Sequence, residues 1–258
     1  MFDIFKNRLK QGYRTSDFPD GDPGLPERFR GRPELRPELC PAGCKACLDA
    51  CPTRAIEQPL GKLTLDMGRC LFCTECTAAC PEGAVTFTKD HRLAATSRAD
   101  LSVFSDEIKL ANALDAEMLR VFGRSLKLRQ VSAGGCSGCE AELTALGNVV
   151  FDLGRFGIQF VASPRHADAL VITGPVTRNM EAALRLAYDA MPAPKLVIAV
   201  GACGISGGPY IDSPEVLNGA SSVVPVDLFI PGCPPHPVTI LDGLLRLLGR
   251  LKDDGSRA

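Results

Sequence analysis

Every cysteine in this chain falls into one of three sets of four. Cys40, Cys44, Cys47 and Cys51 form one run, followed by Pro52; Cys70, Cys73, Cys76 and Cys80 form a second, followed by Pro81. Cys136, Cys139, Cys203 and Cys233 are spread over the C-terminal half and complete the total of 12. Four thiolates suit either a structural zinc ion or one 4Fe-4S cube. The second run reads C-x2-C-x2-C-x3-C-P, the spacing in which three close thiolates hold one cube and the fourth, before proline, reaches to a neighbouring cube. A zinc ribbon instead pairs two C-x2-C knuckles across a longer gap. Three close thiolates, and a Cys-Pro ending found twice, therefore favour iron–sulfur. A chain that commits every thiol to such sites is built to conduct electrons.

On this pattern Cys40, Cys44 and Cys47 share a 4Fe-4S cluster with Cys80, while Cys70, Cys73 and Cys76 share a second with Cys51. Cys136, Cys139, Cys203 and Cys233 make a third. The first run departs from the rule, since Pro41, Ala42 and Gly43 put three residues where two are usual. With glycine present the extra residue can bulge outward, or it can alter the amide hydrogen bonds to sulfur and shift the cluster's potential. Spacing alone leaves both open. The third set is argued by context: CSGC, GACGISGG and PGCPPHP are glycine- or proline-rich turns in which backbone amides can approach an inorganic group. The rival is a dinucleotide loop, but Gly201-x-x-Gly204-x-x-Gly207 is not G-x-G-x-x-G and lies late in its domain.

The elements that must position these thiols follow from composition and periodicity. With 258 residues and 45% hydrophobic content the chain can bury a real core. The opening MFDIFKNRLK lacks the features of a secretory signal, which predicts a reducing, cytoplasmic or cytoplasm-facing location. No run approaches 18 uncharged apolar residues, so no membrane span is expected. Near-balanced charge, 29 basic against 30 acidic residues, argues against a nucleic-acid partner.

Residues 1–32 read as an arm: an apolar stripe of Phe2, Ile4, Phe5 and Leu9 among basic residues, then a Pro/Gly/charge-rich stretch expected to be extended without a core of its own. The stripe suits a membrane surface, but so short a one more often docks onto a neighbouring subunit or simply frays. Residues 33–90 repeat a four-cysteine run followed by a small apolar patch, the layout of a two-cluster ferredoxin-like α+β domain whose interior is largely the clusters. Residues 91–125 read as a polar linker and a packing helix over 105–122. Residues 126–258 alternate apolar runs at 126–131, 158–161, 169–173, 196–200 and 223–230 with helical stretches at 140–150, 180–190 and 237–251. That alternation predicts an α/β, flavodoxin-like domain with a mostly parallel sheet. Cys136 and Cys139, Cys203 and Cys233 then each follow the carboxyl end of a strand, where an open α/β sheet forms its ligand crevice.

The segments CSGCEAEL, FGIQFVASPRHADALVITGPVTRNM, VIAVGACGISGG and VPVDLFIPGCPPHP resemble the electron-transfer small subunit of energy-converting membrane-bound nickel-iron hydrogenases of the formate hydrogenlyase type. That subunit is similar to the terminal-cluster subunit of respiratory complex I. Residues 1–90, with MFDIFKNRLKQG and FRGRPE ahead of the cysteines, resemble the two-cluster polyferredoxin subunit of the same complexes, so that one chain joins what are commonly two. The resemblance implies an oxidoreductase subunit without a catalytic site of its own. Its partners would be a nickel-iron large subunit, an electron-donor protein and further subunits including membrane ones, and its place the cytoplasmic side of the membrane, peripherally. Complex I carries adjacent cysteines where this chain separates Cys136 and Cys139 by two residues, which favours hydrogen over quinone chemistry. A complex I-like quinone oxidoreductase is the alternative, and a soluble redox-sensing module a third reading.

Glu142 matches an acidic residue of both branches and is the candidate proton relay; the plain alternative is that Glu140 and Glu142 both sit in a first helical turn, where carboxylates suit the macrodipole. His236 and the pair Arg165-His166 are expected near the crevice, preferably as interface residues rather than as groups tuning a cluster. Asp49 and the pair Asp253-Asp254 read as solvated surface.

Overall fold

The computed structural model of the protein describes residues 2–104 and 109–252. In chain order the elements are α1 (Phe2–Gln11), β1 (Pro33–Leu35), α2 (Ala46–Asp49), β2 (Ile56–Glu57), β3 (Thr64–Asp66), α3 (Glu75–Ala78), β4 (Val85–Phe87), β5 (Ser102–Val103) and α4 (Ala116–Phe122). They continue with β6 (Leu126–Ser132), α5 (Gly138–Ala145), β7 (Ile158–Phe160), β8 (Ala169–Thr173), α6 (Arg178–Asp189), β9 (Leu196–Val200), α7 (Gly201–Ser206), β10 (Leu228–Ile230) and α8 (Pro237–Leu247).

The apolar stripe at the N-terminus becomes one side of α1, none of whose residues is buried. The rest of the arm borrows a core from the body of the protein. Phe18 is buried with its ring edge-on to His91 at 5.7 Å, and Arg155 donates to the carbonyls of Ser16 and Phe18, at 2.8 Å each.

The two N-terminal cysteine runs are held by two small antiparallel sheets, β1-β4 and β2-β3-β5, with Cys47 on α2 and Cys76 on α3. Their interior is more than cluster sites: Leu63, Leu65, Met67, Leu101 and Val103 are each at most 2% exposed. This aliphatic core runs on into Val131, Leu170, Ile172, Val197 and Phe229 of the large sheet. The ferredoxin region thus packs on one face of the α/β region, and burial along the joint ties them together.

The segment expected to be a polar linker is part of that joint. Leu93, Ala94 and Ala95 are at most 3% exposed, and Ala95 exchanges both backbone hydrogen bonds with Phe229, at 3.0 and 2.8 Å, capping the edge strand β10. The helix expected over 105–122 is short. Residues 105–108 lie outside the described residues, the amides of Ala111 and Leu114 go to the carbonyls of Ala94 and Leu247, and α4 starts only where the Asp115 side chain caps Glu117 and Met118. Tertiary hydrogen bonds have taken the donors that a longer helix needs.

The large sheet is wholly parallel, in the order β10-β9-β8-β6-β7. Numbered within the sheet that is 2-1-3-4-5 read from the β7 edge, the order of flavodoxin-like sheets. β8 and β9 are continuous apolar runs buried throughout, as strands covered on both faces must be. β10 is shorter than its apolar run because Pro225 lacks an amide and Val223 and Val224 pack from a loop. The second face is covered by α8, buried along its whole length, including an Asp242–Arg246 ion pair at 2.9 Å.

Candidate iron–sulfur centres

Local backbone geometry turns the cysteines inward. Thr74 and Ser137, each with φ 68°, directly follow Cys73 and Cys136 and start α3 and α5, so that Cys76 and Cys139 come back beside the cysteine three residues earlier. Left-handed backbone is uncommon outside glycine and marks an imposed turn. Phe72 (φ 53°) and Gly43 (φ 76°) occupy the same place in their runs, immediately before the second cysteine. The extra residue of the first run is absorbed in a turn closed by the Cys44 amide on the Pro41 carbonyl, 3.1 Å. A Cβ on Gly43 would meet nothing within 4 Å, so the extra residue has room to bulge outward.

The repeat extends to the sulfurs. The Ala55 amide donates to Cys51 Sγ at 3.2 Å and the Ala84 amide to Cys80 Sγ at 3.3 Å, each four residues past its cysteine, while the Phe72 amide donates to Cys70 Sγ at 3.3 Å. Amide donors of this kind stabilise thiolates and tune the potential of whatever they hold.

The cysteines meet across runs. Burial, then the charges of Cys44 and Cys80, push the Cys40 thiol up; burial, Cys40 and Cys80 push Cys47 up to about 11. In the second group burial dominates, opposed at Cys70 by the Phe72 amide, with Cys76, Cys51 and Cys73 adding to the rise at Cys70 and with Cys51 and Cys73 raising Cys76. Cys80 thus acts electrostatically on thiols of the first run, and Cys51 on thiols of the second. In the α/β region burial is again first, followed by Cys203, Glu140, Cys233 and Cys136 at Cys139, and by Cys233 and Cys136 at Cys203, which is pushed up to about 12. The four late cysteines converge although 97 residues separate Cys136 from Cys233 (233 − 136). Across groups, the Cys76 charge raises the Cys47 thiol and the Cys73 charge raises that of Cys233. This electrostatic coupling runs in a row from the first run through the second to the crevice. All 12 thiols are free, and iron binding must displace their protons.

The crevice is shaped for a bulky inorganic group. Gly201, at φ +84°, would place a Cβ 2.5 Å from Cys139 Sγ, and Gly208, at φ +54°, would place one 2.8 Å from Cys203 Sγ.

The two glutamates following Cys139 have different surroundings. Burial raises the Glu140 carboxyl, but the Ser132 and Thr173 hydroxyls, at 2.7 Å each, outweigh it and hold the group below the usual range. Glu140 buttresses β6 and β8. α5 starts two residues before the expected position, which leaves Glu142 outside the first turn. Its carboxyl is pushed up by burial and lines a cavity of about 280 Å³ with Cys233, His236, Phe72, Arg28 and Phe29. His236 caps α8, its Nδ1 accepting from the Val238 amide at 3.2 Å, and its ring stands edge-on to Phe29 and Phe151. Burial keeps it neutral, with the proton on Nε2. Arg165 and His166 are not near the crevice. They precede Ala169, at the amino end of β8, because a chain leaving β7 must return to the start of its next parallel strand. Asp49 closes α2, and Asp253 and Asp254 lie outside the described residues. Periodicity had no way to show the cavity, the glycine cradle, or the inward turns at Thr74 and Ser137.

Residues 136–247 match the family described as NADH ubiquinone oxidoreductase, 20 Kd subunit, and residues 39–84 match the 4Fe-4S dicluster domain. Over 140 residues the chain is 46% identical to formate hydrogenlyase subunit 7 of Escherichia coli (strain K12), covering 54% of this chain and 55% of that protein. Over 136 residues it is 42% identical to the probable membrane-bound hydrogenase subunit mbhJ of Pyrococcus furiosus, covering 53% of this chain and 81% of that protein. The chain thus spans about half the length of the first relative and most of the second. Among solved structures it is similar to a chain of the membrane-bound sulfane sulfur reductase, an archaeal respiratory membrane complex, at 34% identity and TM-score 0.46, covering 53% of this chain and 75% of that one.

Proposed function

We propose a function from one premise: the chain belongs to the family of the 20 Kd subunit of NADH ubiquinone oxidoreductase, which also takes in membrane-bound hydrogenase subunits. It is an electron-transfer subunit of an oxidoreductase complex with a 4Fe-4S domain. In the reading we favour it carries three 4Fe-4S clusters and exchanges electrons between a donor protein and a nickel-iron site in a separate large subunit. When bound, the clusters supply one-electron carriers. The chain's own part is to hold them: Cys40, Cys44, Cys47 and Cys80; Cys70, Cys73, Cys76 and Cys51; Cys136, Cys139, Cys203 and Cys233. Residues 33–90 would form the ferredoxin-like domain and residues 126–258 the flavodoxin-like one.

The observation that carries this reading is the row of three thiol groups ending at an open crevice. Cys136 and Cys233 there are exposed, so a second protein can cover that end. The two residues between Cys136 and Cys139 support the hydrogenase branch over the quinone branch. No helix among the described residues is long and apolar enough to cross a membrane, so other subunits would anchor the complex on the cytoplasmic side. The deciding experiment is isolation of the native complex from membranes, with metal analysis and dye-linked hydrogen assays. Nickel together with hydrogen evolution or uptake is expected; a nickel-free complex that reduces quinone would move the chain to the complex I branch.

Glu142 is the proposed proton relay. Its carboxyl lines the cavity beside Cys233, and burial raises its pKa above the usual carboxylate range, the direction that a proton-accepting group needs. Glu142→Gln is expected to lower turnover of the assembled complex by about 100-fold, with iron content and melting temperature unchanged. Lost assembly with undiminished specific activity in the surviving complex would make Glu142 a structural residue.

A further inference from the structure

A side-chain hydrogen bond joins the two regions close in sequence to two of the cysteine groups. Ser206, the last residue of α7 and three residues past Cys203, is 7% exposed, and its Oγ stands 2.9 Å from the carbonyl of Gly68, two residues before Cys70. These residues are 138 apart in the chain. A serine at a helix end ordinarily bonds back to the carbonyl four residues earlier. Here that contact, to Ala202, is the longer one at 3.1 Å, and the hydroxyl has a single proton to give.

The receiving loop is built to hold still. The Gly68 amide donates to Asp66 Oδ1 at 2.8 Å, Arg98 grips the same carboxylate through two bonds at 2.7 and 2.5 Å, and the Cys70 amide donates to the Asp66 carbonyl at 3.0 Å. A Cβ at Gly68 would come within 2.8 Å of Ile205 Cγ2 and of the Arg98 guanidinium. Backbone and side chain therefore touch where the loop of Cys70 meets the helix of Cys203.

We propose that Ser206 is a positioning residue, whose hydroxyl fixes the distance between the cluster site of Cys51, Cys70, Cys73 and Cys76 and that of Cys136, Cys139, Cys203 and Cys233. The inference rests on the three-cluster reading. The step it serves would move one electron between the two sites, one oxidised as the other is reduced, with no proton or bond changing hands. Such a step asks the protein only for distance and orientation.

The test uses the full complex with Ser206→Ala and, separately, Gly68→Ala. The unmodified complex must first show about 12 Fe per chain; fewer would refute the three-cluster reading itself. In each variant iron is expected to stay at that level. The magnetic interaction between the two reduced centres, read by EPR, is expected to weaken, and electron transfer between them to slow by about twofold, as a displacement of about half an ångström would bring about. Full iron with unaltered magnetic interaction in either variant would overturn the proposal. Loss of iron in Ser206→Ala would also overturn it, by assigning the hydroxyl to assembly.

Discussion

Replacing Cys51 by Ser is expected to empty the site of Cys70, Cys73 and Cys76, and to spare that of Cys40, Cys44 and Cys47, although Cys51 belongs to the latter run. Cys51 raises the thiols of both Cys70 and Cys76, whereas Cys80 raises those of Cys40 and Cys47. The Ala55 amide and the Thr53 hydroxyl also reach Cys51 Sγ, at 3.2 and 3.9 Å, and Thr53 donates in turn to the carbonyl of Arg69, next to Cys70. That network faces Cys51 away from its own run. About four of about 12 Fe should be lost, one cube for one missing corner. Since the lost site is the middle of the row, dye-linked turnover at the crevice can survive while turnover from the physiological donor should vanish. Cys80→Ser should do the converse, removing the outermost site. Iron analysis with EPR of both variants decides the matter, and loss of the signal from the run that carries the mutation would contradict crossed ligation.

The cysteine sets were legible in the sequence because their ligand spacing is local, with no gap longer than three residues inside either early run. The late set was legible for another reason: apolar runs placed β6, β9 and β10, and the ends of parallel strands share one edge. Long-range features left no comparable mark. Leu93, Ala94 and Ala95 sit among charged and small residues, and nothing in that composition shows that Ala95 pairs with Phe229. The helix expected over 105–122 had the right period, but the carbonyls of Ala94 and Leu247 won the amides of Ala111 and Leu114. Arg165-His166 looked close to the crevice because it neighbours β8 in sequence, while which end of a strand a loop serves is set by topology. Glu140 and Glu142 looked equivalent. Only the hydroxyls of Ser132 and Thr173, brought from two strands, tell them apart.

Gly201→Ala is expected to abolish the crevice site while leaving the other two filled. Gly201 is the first residue of α7, at the corner where β9 stops, and it turns the chain at φ +84°. An alanine there pays about 1–2 kcal/mol for left-handed backbone. That alone would only lower stability. The larger effect is steric: its Cβ would lie 2.5 Å from Cys139 Sγ, 3.4 Å from the Gly232 carbonyl and 3.8 Å from Pro235. The sulfur cannot retreat freely, because α5 is anchored through Glu140 to β6 and β8. Nor can the corner move outward, since the Ala202 amide is bonded to the Gly232 carbonyl at 2.8 Å, which ties it to the loop of Cys233. One methyl group thus acts on all three thiol-bearing segments of the crevice at once. Purified variant should keep about eight of about 12 Fe, with the EPR signals of the two ferredoxin-side centres intact and hydrogen turnover at background. If Gly201→Ala kept full iron and the unmodified potential at the crevice, the site would have to lie clear of Gly201, and the convergence of Cys139 and Cys203 on one cube would be wrong.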